Sequence, residues 1–208
     1  MSSVAFVLGN GESRCGIKIE DLKRHGTVFA CNAVYRTEKP HYLVAVDPKM
    51  ILEIAETDYP KHNEVWSNYN HQYSKNETAK NHVRWFQPSL GWSSGPTALK
   101  MAADKKFATI YLLGFDYQGH TRDDRHKNYA FNNMFKDTRN YKKSKEEATF
   151  YGNWMNQTKR VLSDYKHIKF FRVVPPNAFK PHDLEFNENF KHMDIDEFLR
   201  MYSIQRQI

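Results

Sequence analysis

The sequence predicts an α/β fold built on a mainly parallel sheet with helices on both faces. Two observations predict it. Short apolar, β-branched runs alternate with longer stretches of helical character. Nearly every run ends on a polar residue or a glycine, as strands do where a sheet meets its ligand side. The 208 residues suffice for one domain with a real core, and 40% are hydrophobic and 14% aromatic, which excludes a disordered chain.

The elements follow in order. Residues 3–8 form a first strand, ending in Gly9-Asn10-Gly11-Glu12-Ser13. The glycines allow a tight turn and close approach of a ligand to the main chain, and Ser13 can cap a helix. Further strands are expected at 27–31, 42–46, 63–67, 109–114 and 168–174, with a short one possible at 82–87. Helices are expected at 18–25, 48–56, 95–105, 146–165 and 193–202. No repeat, low-complexity tract or linker divides 1–208.

The strand ends carry the candidate site. Strand one ends at Asn10, the second at Asn32, the third at Asp47-Pro48, the fourth at Asn68, and the run Ile-Tyr-Leu-Leu-Gly at Phe115-Asp116-Tyr117. Trp92-Ser93-Ser94-Gly95 precedes a helix, where hydroxyls and free amides suit an anion or sugar hydroxyls. Gathered at one edge of a sheet, these residues predict a polar ligand pocket.

Charge and composition narrow the classes. The net charge is +7, and residues 117–146 hold eight Lys/Arg against four Asp/Glu. That basic segment suits a phosphorylated donor, an acidic acceptor or nucleic acid. No specific nucleic-acid motif is present, so nucleic acid is not the expected partner. Two cysteines, Cys15 and Cys31, give neither a disulfide framework nor zinc spacing. No apolar run approaches the roughly 18 residues of a membrane span, and no leader is evident, so a cytoplasmic setting is expected. Asp194-Ile195-Asp196 has the letters of a metal motif but opens the last helix, where it reads as capping. Asp123-Asp124, flanked by Arg122 and Arg125, reads as self-neutralised.

These residues resemble a family. Gly9-Asn10-Gly11-Glu12-Ser13, Val28-Phe29-Ala30-Cys31-Asn32 with Tyr35, Asp47-Pro48, Ser67-Asn68-Tyr69-Asn70, Ser94-Gly95 with Ala98, Ile110 to Asp116, Tyr129-Ala130-Phe131 and Pro176-Asn177 occur in the order of motifs in the bacterial sialyltransferases of glycosyltransferase family 42, the Campylobacter lipooligosaccharide type. The resemblance implies a single Rossmann-like domain, a GT-A-like variant, with 117–146 as a basic lid over the donor. It implies a CMP-sugar donor, a glycan hydroxyl as acceptor, inversion, no metal cofactor (Mg is not expected), and a place in lipopolysaccharide biosynthesis. A homo-oligomer is implied as well.

By the same match Asn10, Gly11, Ser13, Asn32, Asp47, Asn68, Ser94, Gly95 and Asp116 would bind the donor. Tyr117 and Tyr129 would donate hydrogen bonds to the leaving phosphate. The family's general base is a histidine just before the helix preceding the last strand, a position that falls here near Phe150-Tyr151. Neither ionises readily at neutral pH, so His126 in the lid, ahead of His120, is the candidate base. Asp47, where the family has Asn, disfavours a nearby carboxylate or phosphate, or selects another sugar hydroxyl. The alternatives are pterin diphosphokinase-like pyrophosphoryl transfer, an inactive nucleotide-binding protein, and a glycosyltransferase acting on DNA bases.

Overall fold

Period-two burial explains how one strand can serve two cores. In the computed structural model, which describes residues 3–73, 75–123 and 126–207, with the side chains of 120–129 outside the description, strand β1 (Val4–Leu8) is almost wholly buried. Phe6 and Leu8 enter the core on one face, Ala5 and Val7 the core on the other. Strands β2 (Thr27–Cys31) and β6 (Thr109–Leu113) divide their residues the same way.

Strands β3 (Tyr42–Val44), β4 (Val65–Asn68), β5 (Val83–Phe86), β9 (Lys169–Val174) and β10 (Phe190–Asp194) complete an eight-stranded sheet of order β10-β9-β6-β1-β2-β3-β4-β5. All its pairings are parallel. Helices α1 (Ile19–Lys23), α2 (Pro48–Ala55), α3 (Tyr59–His62), α4 (Glu77–His82) and α8 (Ile195–Met201) contribute to the first face. Helices α5 (Ser94–Asp104), α6 (Gly152–Asp164) and α7 (His182–Glu185) cover the second. This is a Rossmann-like α/β fold.

The chain runs outward from β1 to β5, then α5 carries it back across the second face to β6 on the other side of β1. The strand order therefore reverses between β1 and β6. Both strand ends open there, which is where such sheets bind ligands.

The expected strands and helices are present, with shifted ends. Strand β4 begins at Val65, and α6 begins at Gly152, six residues inside the expected helix. The segment before it is held by turns: Phe131 N–H donates to Glu146 O (3.0 Å) and Asp137 N–H to Lys142 O (3.0 Å). Three features lacked an apolar signature. Strand β10 is an edge strand that alternates with Lys191 and His192. Helix α4 is short and polar, held by Asn76 accepting from Ala79 N–H (2.9 Å). Strands β7 (His120–Asp123) and β8 (His126–Ala130) form an antiparallel hairpin inside the expected lid. As expected, Asp194 caps α8, accepting from the N–H groups of Asp196 and Glu197 at 2.8 and 3.3 Å.

Residues 131–146 do not stand off the body as a lid would. Met134 N–H donates to Asn10 O (2.8 Å), Arg139 clamps Glu56 at 2.7 and 2.9 Å, and Asn140 donates to Glu53 (2.7 Å). Lys136 pairs with Glu12. Half the basic segment is thus docked on α2 and the first turn.

Candidate functional site

Glycines 9 and 114 bring the ends of β1 and β6 together. Gly9 N–H donates to Leu113 O (2.8 Å) and Gly11 N–H to Gly114 O (2.9 Å). A Cβ on Gly9 would stand 2.6 Å from Gly114 O, and one on Gly11 would overlap the Asp116 carboxylate. These glycines serve strand-to-strand approach first. Most of the loop's amides are spent internally: besides those of Gly9 and Gly11, Glu12 N–H donates to Asn132 Oδ1 (2.9 Å), and Ser13 N–H to Asp116 Oδ2 (3.1 Å). The loop is not a free phosphate cradle of the P-loop kind.

A cleft with about 720 Å³ of space between its walls, mouth included, lies over this junction. Asn10, Gly11, Asn32, Ser94, Gly95, Asp116 and Tyr117 all line it. Strand-end residues far apart in sequence thus meet at one place. Ser13 stands behind the wall; its hydroxyl and its amide both hold Asp116. Asn132 Nδ2 adds a third donor to that carboxylate (3.2 Å) and also reaches Gln118 O (3.0 Å). Asp116 is therefore a latch that ties the first loop to the end of β6.

Asn32 holds a left-handed backbone (φ 57°), which asparagine tolerates better than most residues. Ser94 Oγ accepts from Val46 N–H (3.1 Å) and so donates its own hydrogen to Asn32 Oδ1 (3.0 Å). That assigns the Asn32 amide: oxygen toward Ser94, Nδ2 left as a donor on the cleft wall. Helix α5 begins here, and the N–H groups of Ser94 and Gly95 have no acceptor among the described residues. They are the anion-friendly end of an eleven-residue helix.

The tyrosines separate. Tyr117 lines the cleft with its ring, but it is only 5% exposed and its hydroxyl meets Thr158 Oγ1 at 2.6 Å. Thr158 gives its hydrogen to Trp154 O (2.9 Å), so Tyr117 is the donor and its hydroxyl is committed. Burial pushes its pKa up to about 12. This corrects its expected place beside a leaving phosphate. Tyr151, just before α6, also lines the cleft, and its hydroxyl is buried with no partner among the described residues. Burial, aided by the Asp116 charge, pushes its pKa up to about 12 as well. Phe150 beside it is 76% exposed.

Two expected residues stand away from the cleft. Asp47 is exposed and caps α2, accepting from Lys49 N–H (2.8 Å). Asn68 ends β4, and its Oδ1 is buried with no partner among the described residues. Tyr129 and His126 lie on β8, and their side chains fall outside the described residues. Sequence reasoning missed the two large buried cations that back the cleft, Arg14 and Arg172, each 1% exposed. Only their odd setting marked them: Arg14 follows the glycine turn, and Arg172 interrupts the apolar strand Phe170-Phe171-Arg172-Val173-Val174. Cys31, also on the wall, is held up at a pKa of about 12 by burial, which makes it no nucleophile. Among the described residues no cluster of three His, Cys, Asp or Glu side chains is placed to hold a metal.

No protein-family model and no curated protein matches the chain. Among solved structures it is similar to the sialyltransferase CstII from Campylobacter jejuni in complex with cytidine-5'-monophosphate, at 18% identity and a TM-score of 0.47 over 91% of this chain and 88% of that one. It is similar also to CST-II with a trisaccharide acceptor and CMP, at 16% identity and a TM-score of 0.47 over 85% and 83%. A point variant of CST-II with CMP gives 16% identity and a TM-score of 0.48 over 97% and 98%.

Proposed function

We propose that the protein is a sialyltransferase-like glycosyltransferase. It moves a sugar from a nucleotide-activated donor, a CMP-sugar by resemblance, to a glycan hydroxyl, with inversion and without a metal. The observation that carries this reading is convergence. The residues of four sequence motifs, Asn10, Asn32, Ser94-Gly95 and Asp116, meet on one cleft at the reversal of strand order.

The polar atoms left over suit an acceptor-rich ligand. Asn32 Nδ2 and the first amides of α5 are donors, and the helix end favours negative charge. In transfer, the bond between the anomeric carbon and the phosphate oxygen breaks as the acceptor oxygen attacks from the opposite side. Charge then grows on the leaving phosphate. Tyr151 supplies the phenol for it, since a pKa of about 12 keeps its proton in place to donate. The acceptor's proton goes to His126 on the hairpin, whose strands leave and rejoin the chain beside the cleft residues Gln118 and Phe131. Imidazole titrates near neutrality, as the phenols do not. Closure of that hairpin excludes water from the activated sugar.

The test is transfer from CMP-sialic acid to a galactose-ended oligosaccharide in the presence of a chelator, read as released CMP and a longer glycan. Product formation is expected. No release of CMP under any acceptor, together with Mg-dependent use of ATP, would replace this reading with pyrophosphoryl transfer.

A further inference from the structure

Two guanidinium groups lie buried beneath the adjoining ends of β1 and β6, and neither pairs with a carboxylate among the described residues. Burying a charge without a counter-charge costs several kcal/mol, roughly, unless fixed dipoles surround it. Here the dipoles are main-chain carbonyls and the side-chain amide of Asn10. Arg14 Nε donates to Gly9 O (2.6 Å), and its Nη2 to Asn10 Oδ1 (3.0 Å); its Nη1 has no partner among the described residues. Arg172 Nε donates to Phe115 O (2.6 Å), Nη2 to Asp116 O (3.1 Å) and Nη1 to Phe179 O (2.9 Å). The Tyr117 ring lies 5.3 Å from the same guanidinium.

A peptide unit is planar, and in its trans form the C=O and the following N–H point in opposite directions. Among the described residues the one cis bond is Gln87-Pro88, remote from this place in sequence. Capturing the carbonyls of Gly9, Phe115 and Asp116 therefore turns the N–H groups of Asn10, Asp116 and Tyr117 away from the arginines. All three residues line the cleft. None of the three N–H groups has an acceptor among the described residues. Tyr117 also holds a left-handed backbone (φ 54°), the conformation that makes successive amides converge.

We infer that Arg14 and Arg172 are positioning residues that turn the amides of Asn10, Asp116 and Tyr117 into an anion-holding surface for the ligand's phosphate. The arginines touch no ligand. They act through the peptide planes they hold, and their unneutralised charge favours an anion on the far side. Among the described residues the one carboxylate on the cleft wall, Asp116, is turned onto Ser13 and Asn132. The inference rests on the reading of the cleft as a nucleotide site and adds which part of the nucleotide is held there.

The experiment follows assigned backbone amides by NMR in the full chain during titration with CMP, cytidine and inorganic pyrophosphate. The amide protons of Asn10, Asp116 and Tyr117 are expected to move downfield with CMP and with pyrophosphate, and little with cytidine. In Arg172→Met the responses of Asp116 and Tyr117 are lost while that of Asn10 persists. In Arg14→Met the pattern reverses. Each variant is expected to lose about tenfold in CMP affinity and to keep its cytidine affinity within about twofold. Arg14→Lys and Arg172→Lys, which keep the charge and one donor, restore part of the response and serve where the Met variants do not fold. Amides that stay still at saturating CMP overturn the inference, as does equal loss of CMP and cytidine binding. If CMP does not bind but pyrophosphate moves the same three amides, the nucleotide reading falls and the anion-holding surface stands. Binding of neither ligand overturns both.

Discussion

Tyr117→Phe and Tyr151→Phe remove the same atom from two walls of one cleft, and the structure assigns them opposite consequences. Tyr117 loses a buried 2.6 Å hydrogen bond to Thr158. A buried bond of this kind contributes about 1 kcal/mol net. For a chain of 208 residues, 1 kcal/mol moves the melting temperature by roughly 2–4 °C. Tyr117→Phe is therefore expected to melt roughly 2–4 °C lower and to turn over nearly as the parent does. Tyr151 loses a hydroxyl that is buried and has no partner among the described residues. Removing an unsatisfied group relieves its desolvation, so the melting temperature should hold or rise. If that phenol meets the leaving phosphate, its removal lowers kcat by about 10²-fold, the usual cost of one donor to developing charge. Calorimetric melting and a CMP-release assay on the two variants decide the matter. A Tyr117→Phe protein with unchanged melting and lost turnover, beside an active Tyr151→Phe, would refute the assignment.

Other substitutions separate architecture from ligand contact. Gly9→Ala forces a Cβ to 2.6 Å from the Gly114 carbonyl and should cost about 2 kcal/mol or more in denaturant titration, since backbone on both sides must shift. Asn32→Asp keeps the bond from Ser94 but replaces the Nδ2 donor by an oxygen; CMP affinity should fall about tenfold or more by calorimetry with little change in melting. Burial pushes His192 down to about 4, helped by Arg172 at 3.4 Å, although Glu185 faces it at 3.6 Å and opposes the shift. Its pKa is lower folded than unfolded, so stability should be full above the ordinary 6.5 and decline as pH falls from there toward 4. His192→Phe should flatten that stretch of the stability profile. Burial raises Glu53, but hydrogen bonds from Tyr35, Arg36 and Asn140 outweigh it and hold the carboxyl below its usual 4.5. The docking of residues 131–146 on α2 should thus be complete above that pH and weaken below it, read by hydrogen exchange at Asn140.

What the sequence made legible follows from what periodicity records. Strands β1, β2, β6 and β9 are buried on both faces and stand out as apolar runs, and the polar residues that follow three of them, Asn10, Asn32 and Asp116, line one cleft. Strand β10 and the hairpin β7–β8 sit at a sheet edge or outside the main sheet, so no apolar alternation announces them. Within the site, residue type alone could not say which side chains are spent on one another. Ser13 and Asp116 satisfy each other, Tyr117 satisfies Thr158, and Asp47 caps a helix; those pairings arise from three-dimensional neighbours. Of the pair Phe150-Tyr151 that counting placed just before α6, it is Tyr151 that lines the cleft. Arg14 and Arg172 escaped notice because a lone arginine in sequence reads as surface, whereas here carbonyl groups surround it.

The central claim is that the cleft between β1 and β6 holds a CMP-bearing donor, and thermal melting with CMP tests it most directly. A ligand at a hundredfold excess over its dissociation constant stabilises the fold by about 2.7 kcal/mol. For a chain of this length that corresponds to a rise of roughly 5–11 °C. The account predicts such a rise with CMP, reduced in Asn32→Asp and unaffected by chelator. No rise with CMP, nor with any other nucleotide or nucleotide sugar, would contradict it.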